Sequence, residues 1–162
     1  MSNLEMKVDA LVRLVTAEDA ESYGAAKANL QDLVRMPPQE RMDPQKLITV
    51  IEDSLTNFGM PNNILGFDYT AEAIRLAVED REILKEVTTR LYPSVARTHQ
   101  TTPSRAERAI RHGIELCWNR CDLDLLNAYF GNSVDPEKGK PTNSQFIARV
   151  ASVIRREMNG AA

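Results

Sequence analysis

The chain has 162 residues, 43% hydrophobic and 27% charged, with a net charge of −3. That length suits one domain with an appendage, because a domain takes about 100–200 residues, and the apolar content suffices for a packed core. Two cysteines, no long apolar run and no secretory start at Met1–Glu5 exclude a disulfide scaffold, a membrane span and an exported mini-protein, so a cytoplasmic chain is expected.

The spacing of apolar residues is helical from the start. Leu4, Val8, Leu11 and Val15 mark one face of a short helix. Thr16 and Asp19 have the spacing of a capping box that restarts a second helix, carried to about Arg35 by Tyr23, Ala26, Leu30 and Leu33. Pro37-Pro38-Gln39-Glu40 breaks it, which places a linker and a domain boundary near residue 40. The expected division is a helical segment with its linker over 1–40 and a second domain over 41–162.

Asp43 and Pro44 read as cap and first residue of a helix whose inner face is Leu47, Ile48, Ile51 and Leu55, with Gly59 as its stop. After a loop over Met60–Phe67, a helix from about Asp68 presents Ala73, Ile74, Ala77 and Val78. Ile83, Leu84, Val87 and Leu91 predict another, ended by Tyr92-Pro93, and a short helix over 93–99 follows. The strongest pattern runs from Pro103 to about Arg120. Ala106, Ile110, Gly113, Ile114, Cys117 and Cys121 make a continuous inner stripe, and Ser104 with Glu107 has capping-box spacing. Asp122–Phe130 forms a short helix stopped by Gly131, and Asp135–Pro141 a loop. Thr142 with Gln145 opens a last helix that buries Phe146, Ile147, Val150 and Ile154. No strand alternation appears, so the fold is expected to be all-α.

Charge is uneven along this series of helices. Residues 1–80 hold 7 Lys/Arg against 14 Asp/Glu, whereas residues 81–162 hold 13 against 9. Between Thr89 and His112, Arg90, Arg97, Arg105, Arg108 and Arg111 face a single acid, Glu107. Such a cluster is either a solvated helix face or the footprint of an anionic partner. A short helix, the turn Gln100-Thr101-Thr102 and a long helix with a polar start have the shape of a helix-turn-helix, whose second helix enters the DNA major groove. There Arg105 and Arg108 suit guanine and Glu107 suits cytosine N4, while Thr101, Thr102 and Ser104 suit phosphate near the helix N-terminus. Arg97 and Lys140, outside that helix, suit sequence-independent phosphate contact. The same pattern also fits an ordinary helical hairpin, since Glu107 and Arg111 are an i, i+4 pair.

The run TTPSRAERAIRHGIELCW at 101–118, with KPTNSQFIA at 140–148, closely resembles the DNA-binding effector domain of the stage zero sporulation protein A family, the master response regulator of endospore formation. LYPSVA at 91–96 and ILGFDYTAEAIRLAVED at 64–80 fit the same domain, and the likeness spans roughly 44–160. It implies a six-helix bundle containing a helix-turn-helix that binds short, often tandem, DNA boxes. It also implies base reading by Arg105, Glu107 and Arg108, with Arg111 and His112 near the DNA. The stretch Leu126–Gly131, with Leu126, Tyr129 and Phe130, stands where the family contacts an RNA polymerase sigma factor. Full-length members carry a receiver domain, for which the first 40 residues are too short. A natural receiverless paralogue or a piece beginning between two domains are the two readings, and the helical pattern over 4–35 points to the first.

Other residues read as structural. Cys117 and Cys121 lie on the inner stripe and lack a second ligand pair, so buried thiols are expected and no metal or cofactor. His99 is expected to be solvated or near phosphate, Asp122 and Asp124 to be first-turn acids, and Trp118 to pack with Ile114. No catalytic motif is present, which argues against an enzyme. The expected function is sequence-specific transcription regulation through a recognition helix over about 103–120. The competing reading is a protein-interaction module that binds or titrates another regulator without touching DNA. The two N-terminal apolar stripes call for a covering surface, either a homodimer partner or the rest of the same chain.

Overall fold

Helical spacing, proline-started first turns and side-chain caps give the described residues of this chain a helical set of elements. The computed structural model describes residues 8–9, 11–13, 16, 20–35, 43–131 and 139–160, and among these no strand occurs. The chain divides into two compact units, Met1–Arg41 and Met42–Ala162.

In the first unit Val8, Asp9 and Leu11–Arg13 are helical, with an Arg13–Asp9 ion pair of 2.9 Å. The Thr16 hydroxyl donates backward to the Val12 carbonyl at 2.9 Å, closing the preceding turn, and Asp19 lies outside the described residues. Helix α1, Ala20–Arg35, follows. Val8, Leu11 and Tyr23 are 51%, 47% and 48% exposed, whereas Ala26 is buried. Leu4, Val15, the side chains of Leu30 and Leu33, the linker at 37–40 and the loop residues 135–138 lie outside the described residues.

In the second unit, α2 spans Pro44–Asn57, and the Asp43 carboxylate accepts from the Gln45 N–H at 3.0 Å. Leu47, Ile51 and Leu55 turn inward, but Ile48 is 37% exposed. Gly59 reverses the chain at φ +79, a region that glycine adopts without strain. Helix α3, Leu65–Glu79, begins three residues before the expected Asp68. The helix expected over Ile83–Leu91 is replaced by two tighter and wider windings. Asp80 caps a 3-10 turn at Arg81–Lys85, Glu86 breaks it, and a π turn at Val87–Leu91 runs straight into α4, Tyr92–Thr98. Pro93 does not end this run, because a first-turn proline needs no donor.

Helix α5 spans Pro103–Arg120. Its cap is Thr102, whose hydroxyl oxygen accepts from the Arg105 N–H at 3.3 Å, and not Ser104, because Pro103 occupies the first helical position. Helix α6, Leu123–Phe130, is capped by Asp122 and stopped at Gly131. Helix α7, Asn143–Gly160, carries the expected reciprocal box: Gln145 N–H donates to Thr142 Oγ1 at 3.2 Å, and Thr142 N–H to Gln145 Oε1 at 3.0 Å.

The core closes where α2, α6 and α7 meet. Phe146 lies 5.7 Å from Phe58 and 5.6 Å from Phe130 between ring centroids, and half-buried Trp118 sits edge-on to Phe130 at 5.4 Å. Two arginines of α7 cap other helices. Arg155 donates to the Ala77 and Val78 carbonyls near the end of α3, at 2.5 and 3.3 Å, and Arg149 donates to the Tyr129 carbonyl near the end of α6. These cations therefore serve the fold. Helix α3 meets α5 at Gly66: a Cβ there would stand 2.3 Å from the Ala109 carbonyl oxygen, so the helices approach with no room for a side chain.

Candidate nucleic-acid interface

The long helix α5 buries Ala106, Ile110, Gly113, Ile114 and Cys117, as the stripe predicts, while Cys121 is only half-buried at its cap. At about 100° per residue this fixes the opposite side as the one carrying Arg105, Arg108 and His112, all exposed. Helix α4 leads into α5 through His99, Gln100, Thr101 and Thr102. Gln100 takes φ +51, and the Thr101 N–H donates to the Ala96 carbonyl at 2.9 Å, which closes the turn. The His99 ring packs on Tyr69 with centroids 4.8 Å apart, and its Nε2 is buried without a hydrogen-bond partner. The half-buried ring is thus packed against α3 and is not fully solvated.

Ion pairing sorts the arginine cluster. Arg90 is drawn to Asp80 at 2.8 Å and Glu86 at 3.6 Å, away from the turn. Arg111 pairs with Glu107 one helical turn back, and Lys140 pairs with Glu115 at 2.5 Å. Arg97, Arg105 and Arg108 are exposed and form no ion pair among the described residues. Thr102 and Ser104 are exposed at the start of α5, and Thr101 is half-buried. Arg105 and Arg108 thus stand beside the Ser104 hydroxyl in the first turns of α5, where first-turn N–H groups add partial positive charge.

Glu107 stands at the flank of that face, half-buried. Beside it runs a groove lined by Tyr92, Arg111, Glu115, Lys140, Thr142 and Ser144. Across the groove Asn143, the first residue of α7, donates through Nδ2 to the Tyr92 hydroxyl at 3.1 Å and the Glu107 carbonyl at 3.2 Å. Sequence reading passed over Asn143 and Tyr92, since Asn143 after a capping threonine looks like an ordinary helix start.

Leu126 and Phe130 are corrected as candidate polymerase contacts. Both are buried in the core, and Tyr129 is half-buried with its ring 4.6 Å from Phe58. The exposed side of α6 is Leu123, Asp124, Asn127 and Ala128. Burial pushes the Cys117 thiol up to about 12, which keeps it protonated. No group of three or more metal-ligating side chains occurs among the described residues.

The model of the family described as sporulation initiation factor Spo0A C terminal matches residues 51–154. This chain belongs to that family. The match takes in the end of α2, all of α3 to α6 and most of α7, together with every candidate interface residue from Arg97 to Lys140. The family is one of DNA-binding transcription regulator domains of sporulation, not of enzymes, and double-stranded DNA is its partner. No helix among the described residues is long and apolar enough to cross a membrane.

Proposed function

We propose that α4, its turn and α5 act as a helix-turn-helix that reads short DNA boxes, with α5 in the major groove. The observation that carries this reading is that Arg105 and Arg108 are exposed in the first turns of α5 and form no ion pair among the described residues. Their forked guanidinium groups suit guanine O6 and N7, and Glu107 suits cytosine N4. Thr101, Thr102, Ser104, Arg97 and Lys140 hold phosphates, and Arg111 and His112 lie along the groove wall. Residues 41–162 form the effector domain, and 1–40 a helical segment with its linker. Tandem boxes recruit two chains as a homodimer through that segment, and a sigma factor contact uses the exposed side of α6 rather than Leu126 or Phe130.

The test compares a preferred duplex, selected from a random pool, with a scrambled one. Arg105→Ala, Glu107→Ala and Arg108→Ala should each lose about 1–3 kcal/mol on the preferred duplex and much less on the scrambled one. Arg97→Ala should weaken both alike. Equal losses for all four variants on both duplexes would reassign the α5 residues to phosphate contact.

A further inference from the structure

Base reading demands that side chains be held within about 0.5 Å and 10–20° of their working geometry. The inner stripe of α5 is a weak device for that, being made of Ala106, Gly113 and Cys117 beside two isoleucines. The small side chains bring α3 against α5 at Gly66, which sets the distance between them, but non-directional apolar packing alone still permits a helix to roll about its own axis. A directional bond to the helix backbone does not. Asn143, only 9% exposed, supplies one: its amide donates to the carbonyl of Glu107, in the second turn of α5. The other amide proton goes to the hydroxyl of Tyr92, the first residue of α4. One buried side chain thus ties α7 to both helices around the turn. Burial raises the Tyr92 phenol above its ordinary value, so its oxygen stays uncharged and able to accept.

We propose that Asn143, braced by Tyr92, is a positioning residue that sets the roll and height of α5 for sequence discrimination; this rests on base reading by α5. A buried amide deprived of its partners is unfavourable, so satisfying both donors favours the arrangement that holds the Glu107 backbone, and with it the neighbouring Arg105 and Arg108, at a fixed angle. The role differs from general stability because it acts on the ratio of specific to non-specific binding. Phosphate contacts tolerate a small roll of the helix, whereas bidentate base contacts do not.

The experiment measures dissociation constants of the full chain and of Asn143→Ala, Tyr92→Phe and Ile154→Val, on preferred and scrambled duplexes, at a temperature well below every melting point. Ile154 is fully buried on α7, about three helical turns beyond Asn143, and controls for lost stability. Asn143→Ala should weaken preferred-duplex binding about tenfold, and Tyr92→Phe about threefold, with scrambled-duplex affinity kept within about twofold. Ile154→Val should leave the ratio unchanged. If Asn143→Ala fails to fold, Tyr92→Phe, which removes one hydroxyl, decides alone. A wild-type preference retained by the variants, or lost equally in Ile154→Val, overturns the positioning role only. A wild-type chain with no preference overturns base reading by α5 and this role with it.

Discussion

At the scale of single residues, the interface carries its own opposing charge. Glu115 holds Lys140 at 2.5 Å, and that contact keeps the Glu115 carboxyl below its ordinary value, so it stays ionised at neutral pH. A phosphate approaching Lys140 must displace this carboxylate or sit beside it. Glu115→Gln should therefore raise affinity on preferred and scrambled duplexes alike, and steepen the log–log salt dependence by about one. Anisotropy titrations across a salt series measure both. A loss of affinity would instead mean that the bridge holds Lys140 ready for DNA. The Glu107–Arg111 pair was legible in the sequence, because i, i+4 residues meet on any helix. The Lys140–Glu115 pair was not, since 25 residues separate the partners and only packing brings them together.

At the scale of elements, α5 is held by how closely α3 approaches it. Gly66 has no room for a Cβ against the Ala109 carbonyl, whereas a Cβ at Gly113 meets the Met60 thioether at 3.2 Å. A backbone carbonyl cannot give way, but a methionine side chain turns easily. Gly66→Ala is therefore expected to destabilise by about 1–3 kcal/mol through overpacking. Gly113→Ala should be close to neutral, as better helix propensity, about 1 kcal/mol, offsets the crowding. Urea denaturation midpoints separate the two, and equal effects would show that the helices can part at Gly66 without penalty. Among the described residues, the stretch where elements departed in kind from the sequence reading is Arg81–Leu91. Apolar spacing there fits any helical winding, and the Asp80 cap and the break at Glu86 selected 3-10 and π turns.

At the scale of the whole molecule, the first unit presents apolar side chains to water. Val8, Leu11, Val12 and Tyr23 are each between 47% and 53% exposed. Helices this short are marginal in water without a surface to pack on, which is why we assign them to self-association. Deleting residues 1–36 and measuring solution mass at micromolar concentration checks this. The full chain should be a dimer and the shortened chain a monomer. A full chain that is already monomeric refutes the dimer, and a shortened chain that remains dimeric moves the interface to the second unit.

The sequence by itself determined the helical class, the cap at Asp43, the capping box at Thr142–Gln145 and the inner stripe of α5. All of these rest on interactions within about four residues, where periodicity and capping chemistry are local. The run from Thr101 to Trp118 also carried the family likeness. Only the tertiary structure decided which cations stay free, since Arg155 reaches carbonyls 77 and 78 residues away and Arg149 one 20 residues away. It likewise placed Leu126 and Phe130 in the core, turned His99 inward onto Tyr69, and brought Asn143 to Glu107 across 36 residues. Such contacts depend on how finished helices pack, and no spacing along the chain encodes them.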